Sequence, residues 1–193
     1  MTRAFEIDEI DLTGKILIAM PGMGDARFEK SVIFVCAHSP EGAMGLIVNK
    51  PVKELGFKDL VSQLEIGNGT CACDCGVHFG GPVEPGRGFV LHSKDYSSDL
   101  STLTVDGEFC MTATTDVVEK LAAGAGPEHA IMALGYAGWG PGQIEQEILA
   151  NGWLTCDASL SLVFEEADTA KWEAALKILG VDALNLSSAA GRA

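Results

Sequence analysis

Residues 19–51 read AMPGMGDARFEKSVIFVCAHSPEGAMGLIVNKP, and the rest of the chain is organised around this stretch. Apolar and β-branched residues fill Val32–Ala37 and Met44–Asn49, and a Pro-Glu-Gly turn lies between them. Short apolar runs joined by turn residues are typical of paired, buried strands. The stretch therefore predicts an antiparallel hairpin over Val32–Asn49.

Similar patterns place further elements on both sides of this hairpin. Apolar runs bounded by Gly, Pro or charged residues predict strands at Lys15–Met20, Val77–Phe79, Gly88–His92, Ala130–Trp139, Trp153–Cys156 and Leu160–Phe164. Helical spacing and capping residues predict helices at Gly56–Ile66, from an Asp116 cap to Ala123, from a Gly140 cap to Ala150, and from an Asp168 or Thr169 cap to Leu179. Strands beside hairpins with helices between them favour an α+β domain.

The length of 193 residues fits a single domain, which we assign to residues 1–184. Residues 185–193 are small and polar, and we expect them to form a mobile C-terminal tail.

Several motifs connect the chain to a family. They are a Met-Pro loop at 20–21, EGAMGL at 41–46, NKP at 49–51 and FGGPVEPGRGFVLHS at 79–93. With these motifs the sequence resembles the AlgH/YqgE family of bacterial proteins over nearly its whole length. The resemblance implies a bent, mixed or antiparallel sheet that partly closes into a small barrel, flanked by helices. That family is mostly uncharacterised, with an indirect link to transcriptional regulation of alginate synthesis, so the resemblance implies a fold and no reaction.

The composition excludes several classes of function. A net charge of -14 and singly scattered basic residues disfavour direct DNA binding, because nucleic-acid affinity depends on clustered Lys and Arg. The acidic N-terminus lacks a signal-peptide pattern, and no apolar run approaches the roughly 20 residues that cross a bilayer. Six cysteines in a domain without an export signal are expected as reduced thiols. We therefore expect a cytoplasmic protein.

The loop segments provide the candidate binding surface, because loops on a rigid scaffold are where function concentrates. A stiff Gly- and Pro-rich turn at 80–88 carries Arg87, which either clamps a carboxylate or phosphate or pairs with Glu84. The candidate ligand- or partner-binding residues are Pro21, Asp25, Asn49, Gly80, Gly81, Arg87 and His92.

A cysteine-rich segment at 71–78 is the one candidate metal site. Cys71, Cys73, Cys75 and His78 supply donors that zinc prefers, but their alternating spacing does not wrap an ion as C-x2-C pairs do. A loop or a redox-labile thiol cluster is the alternative. We predict no metal and no cofactor.

The residues favour a non-enzymatic protein that binds a protein partner or a small anionic ligand. The alternative is a hydrolase or transferase that uses His92 or His38 with an anion pocket at Arg87, although no Gly-x-Ser-x-Gly elbow is present. A second alternative is an indirect transcriptional regulator that does not touch DNA. The sequence identifies neither the ligand nor the oligomeric state.

Overall fold

The computed structural model describes residues 10–67, 71–73 and 75–186. In these ranges nine strands form, at Lys15–Ala19 (β1), Val32–Ser39 (β2), Gly42–Ile47 (β3), Gly76–Phe79 (β4), Val83–Ser93 (β5), Leu103–Thr104 (β6), Phe109–Thr112 (β7), Ala130–Trp139 (β8) and Trp153–Asp157 (β9). The α-helices in the same ranges are Phe57–Gln63 (α1), Thr115–Ala122 (α2), Gln143–Leu149 (α3) and Lys171–Ile178 (α4).

All the described strands join one curled sheet in the order β6-β7-β5-β8-β3-β2-β1-β9. Neighbours on this path are antiparallel, and β4 adds a parallel pair to β8. The sheet forms a half-barrel flanked by helices, so the predicted α+β class and bent sheet are confirmed. Strand β8 is central because it pairs with β3, β4 and β5.

The predicted hairpin is confirmed as β2 and β3. Ser39 pairs with Gly42, which leaves Pro40 and Glu41 as a two-residue turn. Gly42 has a φ of 143°, and a Cβ there would lie 2.3 Å from the carbonyl oxygen of Trp139. Only glycine therefore lets this hairpin close against β8.

The strands bury both of their faces. Ile16 and Ile18 point into one cluster, which α4 covers with Trp172 and Leu176. Their neighbour Leu17 points into a second cluster on the opposite face. A third cluster packs α1 and α2 against the β4, β5 and β8 region. Strands covered on both sides read as continuous apolar runs, which is why the sequence marked them clearly.

The connection from β4 to β5 crosses the backbone of β8 at very close range. A Cβ on Gly80 would lie 2.2 Å from the carbonyl oxygen of Gly135, and one on Gly81 would lie 2.0 Å from the carbonyl carbon of Tyr136. This crossing fixes the position of Val83, the first residue of β5, which pairs with Tyr136. The predicted insert at 80–87 is therefore partly strand, with a register shift between Val83 and Gly88.

The predicted strand at Leu160–Phe164 is wrong. Ser161–Glu165 forms a π-helical turn instead. The Ser159 hydroxyl accepts the Leu162 N–H at 3.1 Å, and the Ser159 carbonyl accepts the Val163 N–H at 3.1 Å. A strand would give those N–H groups to a neighbouring strand, so the local bonds from Ser159 favour a helical turn.

Three predicted helix caps are also wrong. The N-cap of α2 is Thr114, and the Asp116 carboxylate accepts hydrogen bonds from Ser98 and Thr114 hydroxyls. Helix α3 begins after Gly142, whereas Gly140 donates its N–H to the Gln143 side chain. Helix α4 is preceded by Ala170, not capped by Asp168 or Thr169.

The predicted tail begins within a short 3-10 turn at Ala183–Asn185. Residues 187–193, which make up most of that predicted tail, lie outside the described residues. No helix in the described part of the chain is long and apolar enough to span a membrane.

Candidate functional site

Two clefts lie side by side on the sheet. The first, of about 790 Å³, we call the arginine cleft, and it is lined by His38, Met44, Arg87, Phe89, Leu103 and Tyr136 among others. The second, of about 1080 Å³, we call the tryptophan cleft, and it is lined by Met20, Pro21, Asp25, Phe28, Glu147 and Trp153 among others. Val83, Gly138 and Trp139 line both clefts and form their shared wall.

Arg87 lies at the arginine cleft with its charge only loosely engaged. Its guanidinium carbon is 5.0 Å from the centre of the Phe89 ring, and that ring meets Tyr136 edge-on at 5.8 Å. The ion pair with Glu84 has a long N–O distance of 3.6 Å, and both side chains are more than half exposed. Both sequence interpretations of Arg87 therefore apply, a pair with Glu84 and a place in a cleft.

His38 also lines the arginine cleft, but both of its ring nitrogens are occupied. Nδ1 accepts the backbone N–H of Leu12 at 3.1 Å, so the proton is on Nε2, which lies 2.5 Å from the Glu145 carboxylate. Burial alone would raise the pKa of Glu145, and hydrogen bonds from its own backbone and from His38 lower it. This geometry holds the imidazole between a loop and α3 and leaves neither nitrogen open to a substrate.

His92 lies in the core, away from both clefts, and is fully buried. Its Nδ1 donates to the Ser93 carbonyl and its Nε2 accepts from the Thr112 hydroxyl, each at 2.8 Å. Burial lowers the pKa of His92, so the ring stays neutral. These contacts give His92 a structural role between β5 and β7.

Asn49 also lies outside both clefts. Its side-chain oxygen accepts the Val32 N–H at 2.9 Å, and its amide nitrogen donates to the Lys30 carbonyl at 2.8 Å. Lys30 has a φ of 52°, a left-handed conformation that costs energy for a residue with a side chain. Asn49 thus secures the turn that leads into β2.

The other candidates of the first two loops fall at the tryptophan cleft or beside the shared wall. Pro21 and Asp25 line the tryptophan cleft, where Asp25 binds the Arg27 guanidinium at 2.8–3.0 Å. Hydrogen bonds from the Arg27 side chain and backbone lower the pKa of Asp25. Gly80 and Gly81 serve the backbone crossing that positions Val83 between the two clefts.

The cysteine-rich segment does not converge on one point. Cys71 donates its thiol to the Cys73 carbonyl, and the buried Cys75 thiol donates to the Ala130 carbonyl. A hydrogen bond with Cys73 and burial raise the pKa of Cys75 well above that of an ordinary thiol. His78 bonds to both Asp168 oxygens at 3.0 Å. In the described ranges no three His, Cys, Asp or Glu side chains are grouped as metal ligands.

Sequence reasoning missed the centre of the tryptophan cleft. One Glu147 oxygen accepts the indole N–H of Trp139 at 3.0 Å and that of Trp153 at 2.8 Å, while the other accepts from Gln143 at 3.0 Å. The two indoles meet edge-on at 6.1 Å. A signal was present, because Gln143 and Glu147 are four residues apart on a helix with a Trp beyond each end.

Comparison with known proteins identifies the family. A family model described as AlgH-like matches residues 16–184. The chain belongs to the AlgH-like family. A UPF0301 protein of Cereibacter sphaeroides is 55% identical over 95% of this chain and 100% of its own length, and one of Ruegeria pomeroyi is 58% identical over the same shares.

Solved structures show the same AlgH-like fold. The solution structure of the AlgH protein from Pseudomonas aeruginosa has a TM-score of 0.77 and 38% identity, covering 94% of each chain. A crystal structure from Corynebacterium diphtheriae, with a TM-score of 0.68 and 18% identity over 86% of this chain and 85% of its own, shares the fold. The resemblance read from the motifs is therefore confirmed, and with it an uncharacterised family.

Proposed function

We propose that this protein is a binding protein and not an enzyme, and that its arginine cleft takes a small carboxylate with an apolar body. The observation that carries the proposal is the position of Arg87, stacked on Phe89 at a cleft of about 790 Å³. Among the described residues that line this cleft, Arg87 is the only Lys or Arg. A basic group at an apolar cleft is notable in a chain of 27 acidic and 13 basic residues.

The cleft chemistry matches a singly charged anion. A guanidinium binds a carboxylate through two parallel hydrogen bonds, and stacking on Phe89 limits the conformations of Arg87 before a ligand arrives. Met44, Leu103 and Met111 line the same cleft and suit an apolar ligand body. Glu41 is an exposed acidic residue at the cleft, which favours a monoanion over a phosphate dianion.

Two further features support binding in place of catalysis. Both nitrogens of His38 and of His92 are occupied, so neither imidazole presents an open nitrogen to a substrate. The net charge of -14 supports a role without direct DNA contact, so any effect on transcription would act through another protein. Buried thiols at Cys36, Cys110 and Cys156 support our assignment to the reducing cytoplasm.

The proposal is tested by calorimetric titration with phenylacetate and its neutral isostere phenylacetamide. We expect saturable phenylacetate binding that Arg87→Met weakens about tenfold or more, because a hydrogen-bonded charge pair contributes roughly 1.5–3 kcal/mol. The matched control is Arg27→Met, since Arg27 lies at the other cleft and pairs with Asp25.

Thermal unfolding completes this test. Arg87 is more than half exposed, so Arg87→Met keeps the wild-type midpoint while losing the stabilisation by phenylacetate. Equal binding of phenylacetamide, or equal phenylacetate affinity in Arg87→Met and wild-type protein, would refute the carboxylate site.

A further inference from the structure

The tryptophan cleft holds a carboxylate that only neutral groups contact. Glu147 accepts hydrogen bonds from the indole N–H groups of Trp139 and Trp153 and from the Gln143 amide. Three donors fix the position of the carboxylate without neutralising its charge. Within the described part of the chain, no Lys, Arg or His forms an ion pair with Glu147.

The other charges at this cleft cancel each other. Asp25 and Arg27 form a bidentate pair at 2.8–3.0 Å, and the Arg27 guanidinium also lies 5.8 Å from the centre of the Phe28 ring. Glu147 is therefore left as the single uncompensated charge among the described lining residues. The negative field of the whole chain has the same sign.

The rest of the lining is apolar and adaptable. Met20, Met23 and Pro82 are half-buried at this cleft, and Phe28 meets Trp153 edge-on at 5.9 Å. Methionine side chains adjust to irregular ligand shapes, and aromatic rings attract organic cations. The volume of about 1080 Å³ is that of a small-molecule site.

We propose that the tryptophan cleft is a second binding site, which takes a small organic cation: an ammonium or guanidinium group on an apolar body. The cation pairs with the Glu147 carboxylate, and its apolar body packs against the methionine and proline wall. An anion is repelled by the same carboxylate. This site goes beyond the proposed function, since it lies across the shared wall from Arg87 and rests on different residues.

The test uses phenethylammonium as the probe and 2-phenylethanol as its neutral isostere, with the full chain in its wild-type form. Trp139 and Trp153 both bond to Glu147, so intrinsic fluorescence reports the site directly, over the constant signal of Trp172 in the core. We expect saturable quenching or a spectral shift with phenethylammonium, and at least tenfold weaker binding of 2-phenylethanol. This comparison needs no substitution and so stands even where a variant fails to fold.

A variant pair assigns the charge to Glu147. Glu147→Gln keeps an oxygen that accepts from the indoles, and we expect it to weaken phenethylammonium binding at least tenfold. The control Glu41→Gln makes the same change at the arginine cleft and should alter this binding less than twofold. Equal affinity for alcohol and ammonium, no saturable phenethylammonium binding, or unchanged affinity in a folded Glu147→Gln would overturn the proposal. Phenylacetate binding at Arg87 is measured separately, so failure of either site is distinguishable from failure of the other.

Discussion

The arginine cleft and the tryptophan cleft share Val83, Gly138 and Trp139, yet they differ in the sign and the position of their charge. Arg87 is exposed and lies at the surface of its cleft, with a loose partner at 3.6 Å. Glu147 is held between two indoles by neutral donors at 2.8–3.0 Å. The difference shows that a charge is made available in two ways, by a weak ion pair in solvent or by hydrogen bonds that fix it without neutralising it.

The largest effect is expected from Gly81→Ala, which attacks the wall that both clefts share. Gly81 has a φ of 155°, and a Cβ there would lie 2.0 Å from the backbone of Tyr136. Separating the crossing strands should cost roughly 3–4 kcal/mol in the free energy of unfolding and weaken both phenylacetate and phenethylammonium binding. Urea unfolding measures the cost.

The matched control for this substitution is Gly86→Ala in the same insert, where a Cβ meets nothing within 4 Å. It should change the free energy of unfolding by less than about 0.5 kcal/mol. Equal stabilities of the two variants would show that the close crossing does not hold the shared wall.

An intermediate effect is expected from pH, because the fold beneath both clefts depends on Asp168. Burial alone would raise the pKa of Asp168, but hydrogen bonds from His78 and Lys171 outweigh burial and lower the pKa to about 2. The stabilisation is complete above the unfolded-state pKa of about 4 and is lost as the pH falls toward 2, about 2 kcal/mol in all.

This pH dependence is measured by urea unfolding between pH 5 and 2. Asp168→Asn, which cannot ionise, should lack the 2 kcal/mol component that the wild-type protein shows. A wild-type pH profile reproduced by Asp168→Asn would assign the acid sensitivity to other carboxylates and contradict this account of the cluster.

The smallest effect separates a structural asparagine from the two clefts. Asn49→Ala loses the hydrogen bonds to Val32 and Lys30, which should lower the free energy of unfolding by about 1–2 kcal/mol. Binding at both clefts should change less than twofold, with the exposed Asn185→Ala as the control. A selective loss of either ligand in Asn49→Ala would return Asn49 to the binding surface.

The sequence predicts most of the strands because their apolar runs are buried on both faces, as for Val32–Ala37. It fails at Leu160–Phe164, since an equally apolar run follows Ser159, whose hydroxyl and carbonyl take the N–H groups that a strand would share. Local side-chain hydrogen bonds of this kind compete with strand pairing and leave little trace in a hydrophobicity pattern.

The candidate site is only partly readable from the sequence for a different reason. Arg87 stands out because it is a lone basic residue on a Gly- and Pro-rich turn, and the structure places it at a cleft. Glu147 does not stand out, because its role depends on Trp139 and Trp153, which approach it only when β8, α3 and β9 are assembled. Long-range contacts also explain why His92, promising as a strand-end histidine, is a core residue.

The most direct test of two clefts with opposite charge preference is a nuclear magnetic resonance titration of 15N-labelled protein with phenylacetate and, separately, with phenethylammonium. We predict that phenylacetate shifts the amide signals of Met44, Phe89 and Leu103, that phenethylammonium shifts the Trp153 indole and Met23 signals, and that the two sets overlap only at the shared wall. One common set of shifts for both ligands, or shifts at neither cleft, would contradict the account.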